Sequence, residues 1–338
     1  MSGSHSVADR PTILVTGGAG FIGSHTCKAL FQAGYHPVVF DNLSTGHHWA
    51  VKWGPLEHGD LADRPRIKQA LKRHKPLAIL HFAGFIDAGE STVDPGKYYH
   101  NNTLASLTLL EAMRDLQIQN LLFSSTAAVY GEPRTTPITE NHPRIPINPY
   151  GNSKLAVEKM MVDFGQAYDL NHLSLRYFNA AGADPDGDLG EIHTPESHII
   201  PLICQAASGQ RPHIELFGQD YPTPDGTCIR DYIHVTDLAQ AHVLALKALT
   251  NDATLPPQLN LGNGRGYSVL EVIAAVEKVT GRKVPIQKAP RRTGDPAQLV
   301  ADAQKARKAL GWHPQLTSLE RMVQHAWEFW CQKELGGE

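Results

Sequence analysis

A glycine-rich turn near the start of the chain is the feature that most constrains its fold. Residues 12–16 (Thr-Ile-Leu-Val-Thr) predict a short buried strand, and Gly17, Gly20 and Gly23 follow it before a helix-like run to Ala33. Glycines suit such a turn because the backbone must approach a pyrophosphate without intervening Cβ atoms, while the helix N-terminus supplies free N–H groups. The sequence therefore predicts a dinucleotide-binding turn at residues 17–23.

An acidic residue after the second predicted strand indicates which dinucleotide binds. This strand runs from His36 to Phe40 and ends in Asp41, which lies 18 positions beyond Gly23. An acidic residue about 20 positions after the glycines typically hydrogen-bonds the adenine ribose of NAD. Its carboxylate would repel the 2′-phosphate of NADP, so we expect NAD as the cofactor.

Strand and helix patterns alternate through the first half of the chain. They predict strands at 55–59, 78–82 and 120–124, and helices at 64–73 and 95–116. Repeated βα units predict an α/β fold with a doubly wound parallel sheet of Rossmann type, whose ligands bind beyond the carboxyl ends of the strands. Asp60, Gly84 and the segment 124–126 lie at such ends.

Beyond residue 180 the periodicity is mixed, which predicts a smaller C-terminal α/β substrate lobe. We divide the chain into a disordered tail (1–10), an NAD-binding Rossmann domain (11–180) and this lobe (181–338). The two domains are expected to be interleaved, because residues from about 234 to 262 look capable of rejoining the main sheet. The elements predicted after residue 170 are strands at 173–176 and 258–261, an extended piece at 214–217, and helices at 198–208, 236–249, 268–280, 302–310 and 319–333.

Composition excludes several classes of protein. The chain has 338 residues, of which 41% are hydrophobic and 19% charged, and its formal net charge is −3. This charge gives no electrostatic reason to expect nucleic acid or an anionic membrane as a partner. The four cysteines are scattered and no stretch approaches about 20 apolar residues, so we expect a protein of the cytoplasm.

A tyrosine and a lysine open the helix that follows the fifth predicted strand. Tyr150 and Lys154 are four residues apart, and Pro149 suits the first turn, so both side chains project from one helix face. A nearby ammonium favours the phenolate and lowers the tyrosine pKa, which makes a base for an alcohol proton. Taken alone, such a pair is more often part of an exposed helix surface, so its context must decide.

The context is a set of motifs that resembles the extended short-chain dehydrogenase/reductase family. The glycine turn, a Ser-Ser-Thr at the end of the fifth strand and Tyr-x-x-x-Lys occur in the order of that family, and the finer pattern resembles its UDP-glucose 4-epimerase branch. The matching segments are Thr16–His25, Asp41–Leu43, His81–Gly84, Gly89–Ser91, Tyr98–Tyr99, Phe123–Thr126, Val129–Gly131, Tyr150–Lys154, Arg176–Asn179, Asp225–Thr227, Arg230–Val235 and Arg291–Asp295.

The resemblance implies NAD-dependent 4-epimerisation of a UDP-sugar, with UDP-glucose and UDP-galactose as the expected pair and a transient 4-keto sugar between them. Tyr150 would take the proton of the sugar 4-hydroxyl, Lys154 would hold the nicotinamide ribose, and Thr126 would hydrogen-bond the reacting oxygen. NAD would stay tightly bound because each cycle restores it. The resemblance also implies a homodimer, formed by the long helices after strands four and five.

The resemblance assigns two sets of binding residues. The cofactor contacts are Gly17, Gly20, Phe21, Ile22, Gly23, Asp41, Asn42, Thr45, Gly46, Asp60, Leu61, Phe82, Ala83, Gly84, Asn101, Ser124, Tyr150, Lys154 and Tyr177. The substrate contacts are Thr126, Tyr150, Phe178, Asn179, His198, Ile199, Phe217, Arg230, Tyr232, Arg292, Asp295 and Leu299. Arginines suit a pyrophosphate because guanidinium groups form bidentate, charge-assisted bonds, although either arginine alone could be a surface ion-pair residue.

Three positions depart from the family pattern. Ile86 replaces a common lysine near the nicotinamide, and His198 replaces a usual asparagine beside the diphosphate. Leu299 is intermediate between a large tyrosine, found in members restricted to unacetylated sugars, and the smaller residue of members that accept N-acetylhexosamines. UDP-N-acetylhexosamines therefore stay open as substrates, and so do UDP-pentoses such as UDP-arabinose or UDP-xylose, because the segment 42–54 resembles enzymes acting on them.

Two other functions and a metal site were weighed. A nucleotide-sugar 4,6-dehydratase needs an Asp-Glu pair after the Ser/Thr, where this chain has Ala127 and Ala128. A non-catalytic NAD-binding protein would typically lack the tyrosine or the lysine. His193, Glu196 and His198 are of metal-ligating type but lie in a proline-containing loop rather than on one helix face, so we expect no metal site.

Overall fold

The main sheet contains seven parallel strands. The computed structural model of the protein describes residues 10–251, 254–292 and 294–334, so the predicted tail lies outside the described residues except for Arg10. The sheet order is β3-β2-β1-β4-β5-β6-β10, which confirms the predicted doubly wound arrangement. Its strands are β1 (Thr12–Thr16), β2 (His36–Asp41), β3 (Leu56–His58), β4 (Ala78–His81), β5 (Asn120–Thr126), β6 (Asn171–Tyr177) and β10 (Gln258–Leu261).

Helices cover both faces of this sheet. In the first half of the chain they are α1 (Phe21–Gln32), α2 (Arg64–His74), α3 (Ala88–Val93), α4 (Pro95–Tyr98), α5 (Ala105–Asp115) and α6 (Pro149–Tyr168). Short 3₁₀ turns lie at His48–Ala50 and Ala127–Tyr130. The predicted helix 95–116 is present, but Tyr99–Leu104 within it form a π-helical segment, and α3 was not predicted. The sheet reverses its winding between β1 and β4, so a ligand crevice is expected beyond their carboxyl ends.

Alternate residues of each strand enter two separate cores. On β1, Ile13 and Val15 pack on the face covered by α1, whereas Leu14 packs on the face covered by α2, α5 and α6. Such strands are buried on both sides, which explains why they are read in the sequence as continuous apolar runs. The predicted strand 120–124 extends two residues further, and this extension places Thr126 at the strand end.

The second half of the chain forms a smaller α/β lobe around a core of its own. Its strands are β7 (Asn179–Ala181), β8 (Ile214–Phe217), β9 (Ile229–His234), β11 (Gly266–Ser268), β12 (Ile286–Ala289) and β13 (Gln298–Leu299). The helices in this half of the chain are α7 (Ile199–Ser208), α8 (Val235–Thr250), α9 (Val269–Thr280), α10 (Gln304–Leu310) and α11 (Leu319–Glu334), and of these α8 and α10 pack into the core of the main sheet. Sequence analysis missed β7, β9, β11, β12 and β13. None of the helices in the described ranges is long and apolar enough to cross a membrane.

Three contacts are prominent among those that tie the two halves of the chain together. Strand β10 joins the main sheet beside β6, and α8 packs against α1. The third tie is an ionic contact in which Lys28 on α1 reaches the loop after β7, with its Nζ 2.6 Å from Asp184, 2.7 Å from Asp186 and 3.0 Å from Asp188. The domain boundaries given above remain a prediction.

Candidate active site

The glycine turn leaves no room for side chains where β1 passes into α1. Gly17 has a φ of +68°, and a Cβ on it would lie 2.5 Å from the backbone nitrogen of Ala83. A Cβ on Gly23 would lie 2.2 Å from the carbonyl oxygen of Gly17. Gly20 is the N-cap of α1 and makes no side-chain cap bond, so the helix N-terminus offers free N–H groups to a phosphate. The turn therefore fits a dinucleotide pyrophosphate.

Asp41 lies beside this turn, at the end of β2. It is 8% exposed, and its carboxylate accepts hydrogen bonds from the backbone nitrogens of Ala19 (3.0 Å) and Leu43 (2.8 Å). Burial raises the pKa of Asp41, and these two bonds oppose the rise. The carboxylate is thus fixed within reach of the turn, as the sequence predicts for an NAD site.

The neighbouring predicted cofactor residues fall into two groups. Asn42 donates a hydrogen bond to Asp60 over 2.9 Å, so these two strand ends meet. Gly46 also reaches the turn, because a Cβ on it would lie 2.9 Å from the Cβ of Ala19. In contrast, Leu61 is 7% exposed and packs in the core below β2, and Thr45 is exposed on the surface.

The segment after β4 brings Gly84 next to Lys154. A Cβ on Gly84 would lie 3.2 Å from Lys154 Nζ and 3.1 Å from Asn102 Oδ1. Asn102 is 2% exposed, exchanges hydrogen bonds with the backbone of Phe85, and donates to Ser153 on α6. Sequence analysis named its neighbour Asn101 and missed Asn102, although a buried amide in a long helix was a signal that could have found it.

Tyr150 and Lys154 open α6 as expected. Asn148 caps this helix by accepting a hydrogen bond from Gly151 N at 2.8 Å, which fixes where the first turn begins. Lys154 is 2% exposed and donates from Nζ to the carbonyl oxygen of Ser124 over 3.0 Å. Burial lowers the pKa of Lys154 to about 8. The lysine is therefore held beside the end of β5.

Tyr150 contacts the third predicted catalytic residue, Thr126. Burial raises the pKa of Tyr150, and a hydrogen bond with Thr126 opposes that rise. This net direction is opposite to the one expected from the Tyr-x-x-x-Lys pair, because desolvation outweighs the stabilisation of the phenolate. Tyr177 ends β6, its hydroxyl lies 3.2 Å from His242 Nε2, and burial raises its pKa. The ends of β5 and β6 thus bring together five of the predicted site residues: Ser124, Thr126, Tyr150, Lys154 and Tyr177.

A buried polar network, missed by sequence analysis, supports these strand ends. Glu158, four residues after Lys154 on α6, accepts hydrogen bonds from Ser125 (2.6 Å) and from Arg176 (2.8 and 2.6 Å). Arg176 also donates to the hydroxyl of Tyr130 over 2.8 Å. Glu158 and Arg176 are 2% and 0% exposed. The network anchors α6 to β5 and β6, and with it the positions of Tyr150 and Lys154.

The substrate side begins at a small apolar cluster behind Thr126. Phe178 and Leu299 are both half-buried and pack against the cluster that contains Ala127 and Leu155. Asn179 starts β7, paired with Tyr232 on β9. The structure therefore places two predicted sugar-side residues, Phe178 and Leu299, together beside Ala127.

The predicted nucleotide contacts form two pairs. Arg230 makes a short ion pair with Asp295, and the Arg292 guanidinium lies 4.0 Å from the ring centroid of Phe217. Tyr232 is 2% exposed and packs in the core of the second lobe. This burial leaves Tyr232 little surface for contact with a ligand.

His198 is drawn into a cluster that the sequence did not predict. It lies at the N-cap of α7, directly before Ile199, and its Nδ1 makes a short contact with Glu191. Burial lowers the pKa of His198, but the charge of Glu191 outweighs this and raises it to about 9. Ile86, the other departure, is 42% exposed.

Comparison with known proteins agrees with this geometry. The UDP-glucose 4-epimerase of Rhizobium leguminosarum bv. trifolii is 51% identical over 318 residues, which cover 94% of this chain and 97% of that protein. The chain belongs to the UDP-glucose 4-epimerase family. The family model described as GDP-mannose 4,6 dehydratase also matches residues 14–326. The family and the fold class predicted from the sequence are thereby confirmed.

Solved structures of the family give the same result. A Brucella ovis UDP-glucose 4-epimerase in complex with NAD is 49% identical with a TM-score of 0.91, and the match covers 94% of this chain and 98% of that one. A Stenotrophomonas maltophila UDP-glucose 4-epimerase with bound NAD and formylated UDP-arabinopyranose is 41% identical with a TM-score of 0.92, and covers 97% and 100%.

The geometry also separates this family from the dehydratases of the same fold. Ala127 follows Thr126 directly and is 4% exposed within the apolar cluster. A buried methyl group at this position supplies neither the acid nor the base that elimination of water requires.

Proposed function

We propose that the protein interconverts UDP-glucose and UDP-galactose by oxidising and re-reducing C4 of the sugar. The observation that carries the proposal is the position of Tyr150 and Lys154 on the first turns of α6, with the Lys154 ammonium 3.0 Å from the Ser124 carbonyl oxygen at the end of β5. These groups lie on the same edge of the sheet as the glycine turn and Asp41. The arrangement joins one proton-transfer group to one dinucleotide site and has no second acid-base pair directly after Thr126.

NAD fits the residues of the turn. Gly17, Gly20 and Gly23 would hold its pyrophosphate on the α1 N-terminus, and Asp41 would accept hydrogen bonds from its adenine ribose. When bound, NAD supplies a hydride acceptor and donor for C4 of the sugar. Because the reaction leaves the cofactor in its starting state, we infer that it stays tightly bound through many turnovers.

Tyr150 would exchange a proton with the 4-hydroxyl of the sugar. Its pKa is raised by burial, so the phenolate needs a positive charge nearby. Lys154 can supply that charge, because it lies on the same face of α6 and the Ser124 carbonyl fixes its ammonium at 3.0 Å. Thr126 would hold the reacting oxygen in line with the phenol. Proton transfer by a positioned side chain contributes about 10²- to 10⁴-fold to the rate.

The diphosphate end would be held by the second lobe. Arg230 is 9% exposed and is aimed by Asp295, which suits a guanidinium that binds a pyrophosphate oxygen. Arg292 stacks on Phe217, and together they present a flat cationic surface suited to uracil and phosphate. Asn179 and His198 would complete this side.

The sugar specificity depends on Leu299. This side chain is half-buried on β13, opposite Arg230 in the strand register, and packs with Phe178 beside Ala127. A leucine leaves more room than a tyrosine would, so UDP-N-acetylhexosamines remain a second candidate substrate class. UDP-pentoses are smaller than UDP-hexoses, so the Leu299 side chain does not exclude them.

We also propose a homodimer and a cytoplasmic location. The helical run 95–115 exposes Tyr99 (42%) and Leu104 (48%), and α6 exposes Tyr168 (47%), which is consistent with a helix-helix interface. Cys27, Cys204, Cys228 and Cys331 are all free thiols, as is usual in a reducing compartment. Light scattering of the purified protein tests the dimer, and a mass of one chain would exclude it.

Tyr150→Phe is the direct test of the proposed function. The variant should lose about 10²- to 10⁴-fold in kcat with UDP-galactose, because the phenylalanine ring cannot carry the proton. It should still carry NAD after purification, measured by absorbance and by enzymatic release. Tyr35→Phe serves as the control and should keep full activity, because Tyr35 precedes β2 and so lies at the opposite edge of the sheet from the site. Normal turnover by Tyr150→Phe would overturn the proposal.

A further inference from the structure

The loop between β7 and α7 collects four metal-binding side chains at one point. Glu191, His193, Glu196 and His198 each offer one ligand atom, and these atoms all lie within 4.8 Å of one another. The sequence expectation of no metal site assumed that a proline-containing loop would keep these residues apart. The fold of the loop removes that reason.

The spacing of the atoms resembles the edges of a coordination tetrahedron. His193 Nδ1 lies 3.5 Å from Glu191 Oε1 and 3.5 Å from Glu196 Oε1. His198 Nδ1 is in short contact with Glu191 Oε1 and 4.0 Å from Glu196 Oε1. Zinc bonds to His nitrogen and carboxylate oxygen of about 2.0–2.2 Å give tetrahedral edges of about 3.4 Å. Three of the four distances lie within reach of that value after small shifts.

The ion pairs within the cluster leave one of its nitrogen atoms without a hydrogen bond. His193 Nδ1 is buried and makes no hydrogen bond of normal geometry to any of the described residues. The carboxylates of Glu191 and Glu196 are only 6% and 5% exposed. Buried polar groups without partners are rare and call for an explanation such as an ion. A cation among these four atoms would give the His193 nitrogen a partner.

The loop already orients these side chains from outside the cluster. Glu196 accepts hydrogen bonds from the backbone nitrogens of Ser197 (2.8 Å) and His198 (2.9 Å). The backbone of the loop is held in turn by His47, whose Nε2 lies 2.9 Å from the carbonyl oxygen of Ile192. Such outer contacts are what fix the geometry of metal ligands in proteins.

A second acidic cluster nearby shows the contrast. Asp184, Asp186 and Asp188 also converge, but the Lys28 ammonium lies among them at 2.6, 2.7 and 3.0 Å. There the chain supplies its own cation. At Glu191 and Glu196 the facing groups are imidazoles, which can give up a proton and bind a metal in its place.

We propose that Glu191, His193, Glu196 and His198 form a binding site for one divalent transition-metal ion, with zinc the best match. Once the metal has displaced the imidazole protons, two carboxylates and two neutral imidazoles carry a charge of −2, which a divalent ion neutralises. Calcium and magnesium prefer oxygen ligands, whereas zinc readily accepts imidazole nitrogen and carboxylate oxygen. The ion would tie the loop to the start of α7 and so fix His198 at the nucleotide side. This site is structural and does not rest on the proposed function.

Metal binding to the purified full-length protein tests the inference. After chelator treatment, zinc is titrated in competition with a chromogenic chelator, and cobalt is added separately to record its visible spectrum. The expected result is one ion per chain, with the intense visible bands of tetrahedral cobalt. Tyr150→Phe should bind zinc as the wild type does, so this outcome is separate from the test of the epimerase reaction. A protein that binds no stoichiometric zinc would overturn the inference.

Two variants and a matched control locate the ion. His193→Gln and Glu191→Gln should each weaken zinc binding by at least about tenfold, because each removes one ligand. His172→Gln is the control, since His172 is also half-buried with an unpartnered Nδ1 but lies away from the loop. Retained NAD and an unchanged thermal midpoint of the metal-free protein show that the variants fold. Equal zinc affinity in His193→Gln, Glu191→Gln and His172→Gln would place the ion elsewhere and overturn the assignment.

Discussion

Glu158 and Arg176 form a two-pronged ion pair inside the protein, directly behind the strand ends that carry the catalytic groups. The Arg176 Nε and terminal nitrogen lie 2.8 and 2.6 Å from the two carboxylate oxygens, and neither side chain is more than 2% exposed. Because Glu158 belongs to the same helix as Tyr150 and Lys154, this pair couples the packing of α6 to the geometry of the reaction.

Removing one partner of this pair should be strongly destabilising. Glu158→Gln leaves the Arg176 guanidinium buried without its counter-charge, which costs about 3–5 kcal/mol of unfolding free energy. Urea denaturation measures the loss. The control is Glu320→Gln, because the Glu320–Lys278 pair is 50% and 74% exposed and should contribute under about 1 kcal/mol. Losses of equal size in the two variants would contradict this account of the network.

The glycine turn should not tolerate a single methyl group. In Gly23→Ala the new Cβ would meet the Gly17 carbonyl oxygen at 2.2 Å, so the turn or α1 must shift away from the pyrophosphate position. We expect the purified variant to carry at least about tenfold less NAD, measured as cofactor released per chain. Gly96→Ala is the matched control, since its Cβ would meet its nearest neighbour at 3.6 Å. Equal NAD content in both variants would show that the turn does not hold the cofactor.

Enlarging Leu299 should narrow the range of sugars. Leu299→Tyr adds bulk between Phe178 and the strand that carries Arg230. We expect kcat/KM for UDP-N-acetylgalactosamine to fall by about tenfold or more relative to that for UDP-galactose, a difference typical of lost space for a small group. Leu299→Met, of similar volume, should leave the ratio unchanged. An equal fall in kcat/KM for both sugars would indicate a general packing defect and would contradict a role of Leu299 in sugar specificity.

Glu57 should make stability depend on pH in the acid range. Burial alone would raise the pKa of Glu57, but hydrogen bonds from His74, Arg66 and Arg73 outweigh it and lower the pKa to about 2. Because the pKa of Glu57 is lower in the folded protein than its ordinary value of 4.5, its ionised carboxylate stabilises the fold at pH values above 4.5. This stabilisation is lost as the pH falls toward 2. Glu57→Gln should therefore be about 2 kcal/mol less stable than wild type at pH 7. The gap, measured by urea denaturation, should shrink at pH 3; a constant gap would rule out the titration of Glu57 as its cause.

The sequence predicts the parts of the fold that local pattern determines. Strand β1, the glycine turn and α6 are all correctly placed, because apolar runs, glycine spacing and the proline at the first helical turn act over a few residues. Thr126, Tyr150 and Lys154 follow from the same local signals. Their mutual contacts across β5 and α6 then follow from the sheet order.

The missed elements depend on contacts between distant parts of the chain. Strand β9 reads Ile-Arg-Asp-Tyr-Ile-His, and its charged residues suggest a surface loop. Asp231 is nevertheless fully buried, since it accepts backbone hydrogen bonds from Asn263, Gly264 and Ala301, and burial raises its pKa to about 6. Hydrogen bonds from distant backbone groups to a buried carboxylate leave no periodic pattern in the sequence, so sequence analysis could not detect them.

Lys28 links α1 directly to the loop after β7 through its ion pairs with Asp184, Asp186 and Asp188. Lys28 lies on α1, the helix whose N-terminus faces the pyrophosphate, and its side chain is 10% exposed. The position of the segment that leads to His198 therefore depends on α1, although this segment belongs by sequence to the second lobe. A shift of α1 relative to this loop would therefore have to break the contacts of Lys28 with three carboxylates.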